Sequence, residues 1–191
     1  MKNKNRIVAL SVSVCILISM IIPLALPMVS FADEETIYIN NADEFIEIAK
    51  KCSYDAWSIG KTIALGADIS LEGIDFEPVP SFSGVFDGNG HTISGIDLNG
   101  AYSPAGLFST LEKDGIITNL KVEGAITPDG DKGLVGGIVG INSGKIEGCS
   151  FNGTVIGSSD VGGIAGINRV SGSITDCKVN GEIIGENRTG G

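Results

Sequence analysis

Apolar and polar positions alternate along the second half of the chain, and the alternation recurs in register. After VGGIVGIN (from Val135) comes SGKIEGCSFNGTVIG; after VGGIAGIN (from Val161) comes SGSITDCKVNGEIIG. GIITNLKVEGAI, from Gly115, fits the same frame, and so does HTISGIDL, from His91. Aligned on that frame, the apolar residues fall into columns. One holds Ile93, Ile117, Ile146 and Ile174; the next holds Ile96, Leu120, Cys149 and Cys177. Leu98, Val122, Phe151 and Val179 follow, then Gly124, Gly153 and Gly181, then Ile126, Val155 and Ile183. Insertions such as Arg169-Val170 fall between columns, not inside them. Apolar positions separated by polar ones predict strands with one buried face.

Between the first two columns stand Gly95, Asn119, Gly148 and Asp176. Glycine, asparagine and aspartate tolerate left-handed backbone, so each is expected to form a bend between two strands. Units of 24–29 residues, strand-rich and stacking like on like, predict a parallel β-helix. A propeller blade needs about 40 residues, and a leucine-rich repeat needs its own Leu/Asn spacing and a helix. A Greek-key sandwich is the remaining alternative. TIALGADISL, from Thr62, is expected to start the coils, with Asp68-Ile69-Ser70-Leu71 resembling Gly95-Ile96-Asp97-Leu98.

One helix is predicted upstream. Asn41-Ala-Asp-Glu44 has the form of a variant capping box. To about Cys52, Phe45, Ile48, Ala49 and Cys52 share one helical face. The open end of a β-helix exposes core and unpaired strand edge. The helix, with Trp57 nearby, is assigned to cover it.

The extreme N-terminus follows a different pattern. Lys2, Lys4 and Arg6 precede an apolar run from Ile7 to about Val29, broken by Pro23 and Pro27 and closed by Ser30-Phe31-Ala32. This predicts a secretory signal peptide over 1–32, cut after Ala32; an uncleaved anchor is the rival. Val14 before Cys15 argues against a lipoprotein. The expected domains are 1–32 signal peptide, 33–60 strand and capping helix, and 61–191 parallel β-helix. Gly157–Gly163 aligns with Gly185–Gly191, so a cut inside a further copy is expected at the C-terminal end.

Charge and cysteines narrow the function. From Asp33 onward all 23 acidic residues remain but the three basic residues of the leader are gone. So acidic a surface excludes nucleic acid and anionic membranes as partners. Cys52, Cys149 and Cys177 are odd in number and widely spaced. Their number and spacing predict neither a disulfide framework nor a zinc site, and they are expected to be small buried hydrophobes.

Candidate chemistry is sparse. His91, the lone histidine, has no nucleophile placed beside it and is expected to hydrogen-bond at a corner. Asp87-Gly88-Asn89-Gly90 begins like a calcium loop, but His91, Thr92 and Leu98 stand where ligands and glycine belong. Asp129-Gly130-Asp131 is a second acidic turn. Adjacent coils lie about 4.8 Å apart, so stacked carboxylates could form a hydrolase pair. The outward columns read Asp97, Lys121, Ser150, Lys178 and Asn99, Glu123, Asn152, Asn180, and neither is an acidic ladder. The glycine stretches lack the Lys-Ser/Thr of a phosphate loop. VGGIVGIN is expected to be one flank of a coil, apolar at Val135, Ile138 and Ile141. No catalytic, cofactor-binding or metal residue is assigned.

GLVGGIVGINSGKIEGC and VGGIAGIN resemble the Glug motif. FSGVFDGNGHTISGI, from Phe82, resembles the segment that often precedes such motifs. The resemblance covers roughly Thr62 to Gly191. It implies a secreted or wall-attached bacterial protein, or the N-terminal region of an IgA-specific metallopeptidase relative. Those peptidases carry an HExxH zinc helix, which a chain with one histidine lacks. The expectation is an all-β fold: a right-handed parallel β-helix with an N-terminal helical cap. Its expected role is a non-catalytic structural or adhesive region, secreted or on the cell surface, with a host or cell-wall glycan or protein as partner. The alternatives are a metallopeptidase fragment and a carbohydrate-active β-helix.

Overall fold

Four parallel sheets account for the periodicity in a computed structural model, which describes residues 36–53, 56–129 and 133–190. The signal segment lies outside the described residues, as do Gly130 and Asp131 of the second acidic turn. The first sheet has six strands: Thr36–Ile39, Thr62–Leu65, Val85–Asp87, Ile116–Thr118, Lys145–Glu147 and Ser173–Thr175. The second stacks Ile69–Ser70, Thr92–Leu98, Lys121–Ile126, Ser150–Ile156 and Lys178–Ile184. The third stacks Val79–Phe82, Phe108–Leu111, Val139–Asn142 and Ala165–Asn168, and the fourth Gly133–Gly136, Ser159–Gly162 and Asn187–Gly190. From Ile116 onward the chain visits the first, second, fourth and third sheets in turn and then returns one layer on. This is a parallel β-solenoid of about five turns.

The columns of the last three coils are as the alternation requires. Ile117, Ile146 and Ile174 pair across neighbouring strands, as do Val122, Phe151 and Val179, and Ile126, Val155 and Ile183. Glu147↔Thr175 and Ser150↔Lys178 place Cys149 opposite Cys177. The bends are single left-handed residues: Asn119 (φ 52), Gly148 (φ 62) and Asp176 (φ 53). The inserted Arg169-Val170 sits in a turn, with Val170 fully exposed.

The earlier coils correct the predicted register. Phe86, not Ile93, pairs with Ile117. Ile93 belongs to the next sheet, opposite Ile69 and Val122, and Ile96 lies opposite Gly124. Ile69 therefore matches Ile93, not Ile96. Two causes combine. The corner after Asp87 is longer, with Asn89 (φ 50) and Gly90 (φ 77) both left-handed, so here an insertion does fall within the repeat frame. Gly95 (φ 71) is no corner but a bulge within Thr92–Leu98, where the register shifts between Ile93 and Ile96. The bulge turns Ile93, Ile96 and Leu98 all inward, each no more than 3% exposed.

In VGGIVGIN, Val135, Ile138 and Val139 are buried, but Ile141 faces outward and Asn142 takes the inward position. Asn142 follows Phe82 and Leu111 in the third sheet and precedes Asn168. Its amide is satisfied there. Nδ2 donates to Asn168 Oδ1 (2.7 Å) and to the Ser173 carbonyl (3.3 Å), and Oδ1 accepts from Gly144 N (3.1 Å). A buried amide with its bonds made costs little, and one without them costs about 1–3 kcal/mol. The glycines of this stretch answer to close packing: a Cβ on Gly136 would lie 2.1 Å from the Val139 carbonyl oxygen.

The helix spans Ala42–Lys51 and is the only one among the described residues. Asn41 caps it, accepting from Glu44 N at 3.0 Å, while the Glu44 carboxylate accepts from Asn40 N at 2.7 Å. Phe45, Ile48, Ala49 and Cys52 are buried. Phe45 stacks against Phe76 (5.4 Å) and Phe86 (6.2 Å), continuing into Phe82 and Phe108. Trp57 lies between the Lys51 and Lys61 ammonium groups, 5.7 and 5.3 Å from its ring centre.

Candidate functional site

The residues singled out from sequence are dispersed and already engaged. His91 stands at a corner, its Nδ1 3.1 Å from Asp68 Oδ1. Asp68 also accepts the Thr92 amide at 2.9 Å. The Thr92 bond and then the His91 bond hold the Asp68 carboxyl below its ordinary value. A depressed folded-state value contributes stability above the unfolded pKa, and that contribution is lost as pH falls through the folded value. A carbon-detected NMR titration should therefore place the Asp68 midpoint below that of an ordinary aspartate. Replacing Thr92 with proline, which removes the amide, should raise it, and an unmoved midpoint would show that the amide is not the cause.

Asp87 is committed to the corner. Its Oδ1 accepts from Asn89 N (2.8 Å) and Asn119 Nδ2 (3.2 Å). Among the described residues no group of three His, Cys, Asp or Glu side chains converges as a metal site would require. The outward columns shift with the register. Thr92, not Asp97, stands opposite Lys121, and Asp97 stands opposite Ala125. Lys121, Ser150 and Lys178 do stack, as do Glu123, Asn152 and Asn180, with Asn180 Nδ2 donating to Asn152 Oδ1 at 2.9 Å. No acidic ladder results.

A concavity of about 530 Å3 is lined by repeat residues of the last coils, Val161, Ile164, Ile167 and Ile174 among them; a smaller, more enclosed one is built from residues outside the repeat columns. The segment between Ser70 and Val79 carries Asp75, Phe76, Glu77 and Pro78 past the helix. It closes a cleft of about 390 Å3 with Ile46, Ala49 and Lys50. Glu77, Pro78 and Pro80 also wall a neighbouring cleft of about 290 Å3, completed by Tyr102, Pro104 and Ser109. Burial first, then the charges of Glu77 and Asp75, push the Tyr102 hydroxyl above its usual range. Asp75 and Glu77 are exposed. No serine or cysteine nucleophile with a base beside it lines either cleft. The arrangement offers an aromatic ring, proline faces and carboxylate acceptors, which suit binding better than bond breaking. None of these residues recurs at the repeat spacing, so periodicity held no signal for them. The interruption of the frame between Ser70 and Val79 and between Leu98 and Ala105 was the available clue.

The Glug motif family matches residues 133–156. That segment is one complete turn, with one strand in each of the four sheets. The chain carries a Glug motif in that turn. The repeat chain is 41% identical over 92 residues to halomucin of Haloquadratum walsbyi, a match over 47% of this chain and 1% of halomucin. It is also similar to a crystal structure from Bacteroides ovatus of a protein described as a candidate immunoglobulin A1 protease. The TM-score is 0.64 and the identity 26%, over 79% of this chain and 49% of that one. The chain thus spans about half the length of the solved protein and a small part of halomucin. Among its described residues no helix is long and apolar enough to cross a membrane.

Proposed function

We propose that this chain is a non-catalytic structural or adhesive repeat region of a secreted or cell-surface bacterial protein, with a signal peptide over 1–32. The observation that carries the reading is the division of labour within the solenoid. The columns are filled by packing residues, and beside them lie clefts lined by Tyr102, prolines and exposed carboxylates. Similarity to halomucin and to a protease-like protein fits an extracellular location. In this reading the helix caps a right-handed solenoid. Phe45 inserts over the first coils, and Pro80, on the edge strand Val79–Phe82, presents no N–H for another chain to pair with.

The ligand class that suits the clefts is a neutral saccharide. Its C–H faces would stack on Tyr102 and its hydroxyls would donate to Glu77 and Asp75. A glycan array probed with the full chain is expected to give binding that falls at least tenfold in Tyr102→Ala and in Glu77→Gln. Binding unaffected by both substitutions would move the site elsewhere; no binding to any glycan would leave a spacer.

A further inference from the structure

Cys149 and Cys177 occupy the same corner of successive coils, each directly after a left-handed residue, Gly148 or Asp176. The flanking pairs on both sides are in register, so the two cysteines stand at equivalent positions in neighbouring coils. Parallel neighbours lie about 4.8 Å apart, inside the roughly 4.4–6.8 Å between Cα atoms that a disulfide takes. Both are thiols here. Cys177 Sγ leans back towards the preceding coil, 3.9 Å from the Ile146 carbonyl oxygen, which is the direction of Cys149. Cys149 Sγ leans the other way, 3.7 Å from the Ile117 carbonyl oxygen. Each sulfur also donates to the carbonyl two residues back, Cys149 Sγ to Glu147 O and Cys177 Sγ to Thr175 O, both at 3.3 Å, so closing the bridge exchanges these hydrogen bonds for the S–S bond. Cys52, the remaining described cysteine, is buried on the helix and takes no part.

We propose that Cys149 and Cys177 are a cross-coil disulfide pair, closed by exchange with a small-molecule disulfide. The half-exposed Cys177 gives its proton to solvent and attacks one sulfur of the reagent. A protein–reagent mixed disulfide forms and one thiolate leaves. Cys149 then loses its proton and attacks Cys177 Sγ; the Cys149–Cys177 bond forms and the second thiolate leaves. Two protein thiols are oxidised, the reagent is reduced to two thiols, and the two protons end on those products. Burial pushes the Cys149 thiol up to about 12, which makes the second step the slow one. The closed bridge ties one coil to the next and restricts the unfolded chain.

The test uses the native full chain, oxidised glutathione, alkylation and trypsin without reductant. Cleavage after Lys145, Arg169 and Lys178 puts Cys149 in peptide 146–169 and Cys177 in peptide 170–178. The expected product is these two peptides joined, two hydrogens lighter than their sum and separated by dithiothreitol. The oxidised protein should also melt at a higher temperature than the reduced one, a difference that vanishes in Cys177→Ser. Two separate alkylated peptides, or peptide 170–178 carrying only glutathione after prolonged exposure, would overturn the proposal. So would a link that forms only in urea.

Discussion

Gly153→Ala is expected to destabilise the fold by about 4 kcal/mol, combining backbone strain with overpacking. Gly124, Gly153 and Gly181 stack across three coils with φ of 149°, 153° and 142°, a region closed to residues with a Cβ. A Cβ on Gly153 would lie 1.9 Å from the Gly124 carbonyl oxygen. The obstacle is backbone held in a parallel ladder, so it cannot rotate away. Gly90→Ala separates the two causes, because Gly90 (φ 77) has nothing within 4 Å of its would-be Cβ. It should lose only the roughly 1–2 kcal/mol of left-handed strain. Urea unfolding of both variants gives the comparison. Equal losses would mean that close approach contributes nothing; a loss under about 1 kcal/mol for Gly153→Ala would remove the glycine stack as a constraint.

Phe86→Ala should cost about 3–5 kcal/mol, the range for deleting a buried aromatic ring. Phe86 is fully buried and meets Phe108 at 5.3 Å, Phe82 at 6.1 Å and Phe45 at 6.2 Å, all edge-on. It therefore links the helix to the third sheet through a single side chain. Two readouts follow. The urea midpoint should fall, and amide exchange in Ala42–Lys51 should quicken relative to exchange in Lys121–Ile126. A double-mutant cycle with Phe45→Ala should show coupling of about 0.5–1.5 kcal/mol. Zero coupling, or uniform acceleration of exchange, would mean that the helix is held by other contacts.

The clefts beside the helix were the least legible part of the chain. Asp75, Glu77 and Tyr102 sit in segments of unlike sequence. Their meeting depends on two loops from different coils arriving on one flank, and composition and spacing do not encode that. The corner cysteines were the opposite case. Their alignment followed from the repeat alone, but the directions their sulfurs take did not.

The sequence by itself determined the repeating unit, the alternation of its strands, the helix from Asn41 and the pairing of the last three coils. Those follow from local rules: side-chain period, capping and the few residues that accept left-handed backbone. Only the tertiary structure decided the first full coil. Ile117, Leu120 and Val122 are spaced three and then two because a corner at Asn119 intervenes. Ile93, Ile96 and Leu98 have the same spacing because of a bulge at Gly95. A corner and a bulge each add one residue to the alternation, so the two patterns are identical along the chain. They differ only in which neighbouring strand supplies the hydrogen bonds. The same holds for Asn142, a polar residue whose place in the core depends on Asn168, Gly144 and Ser173 closing around its amide.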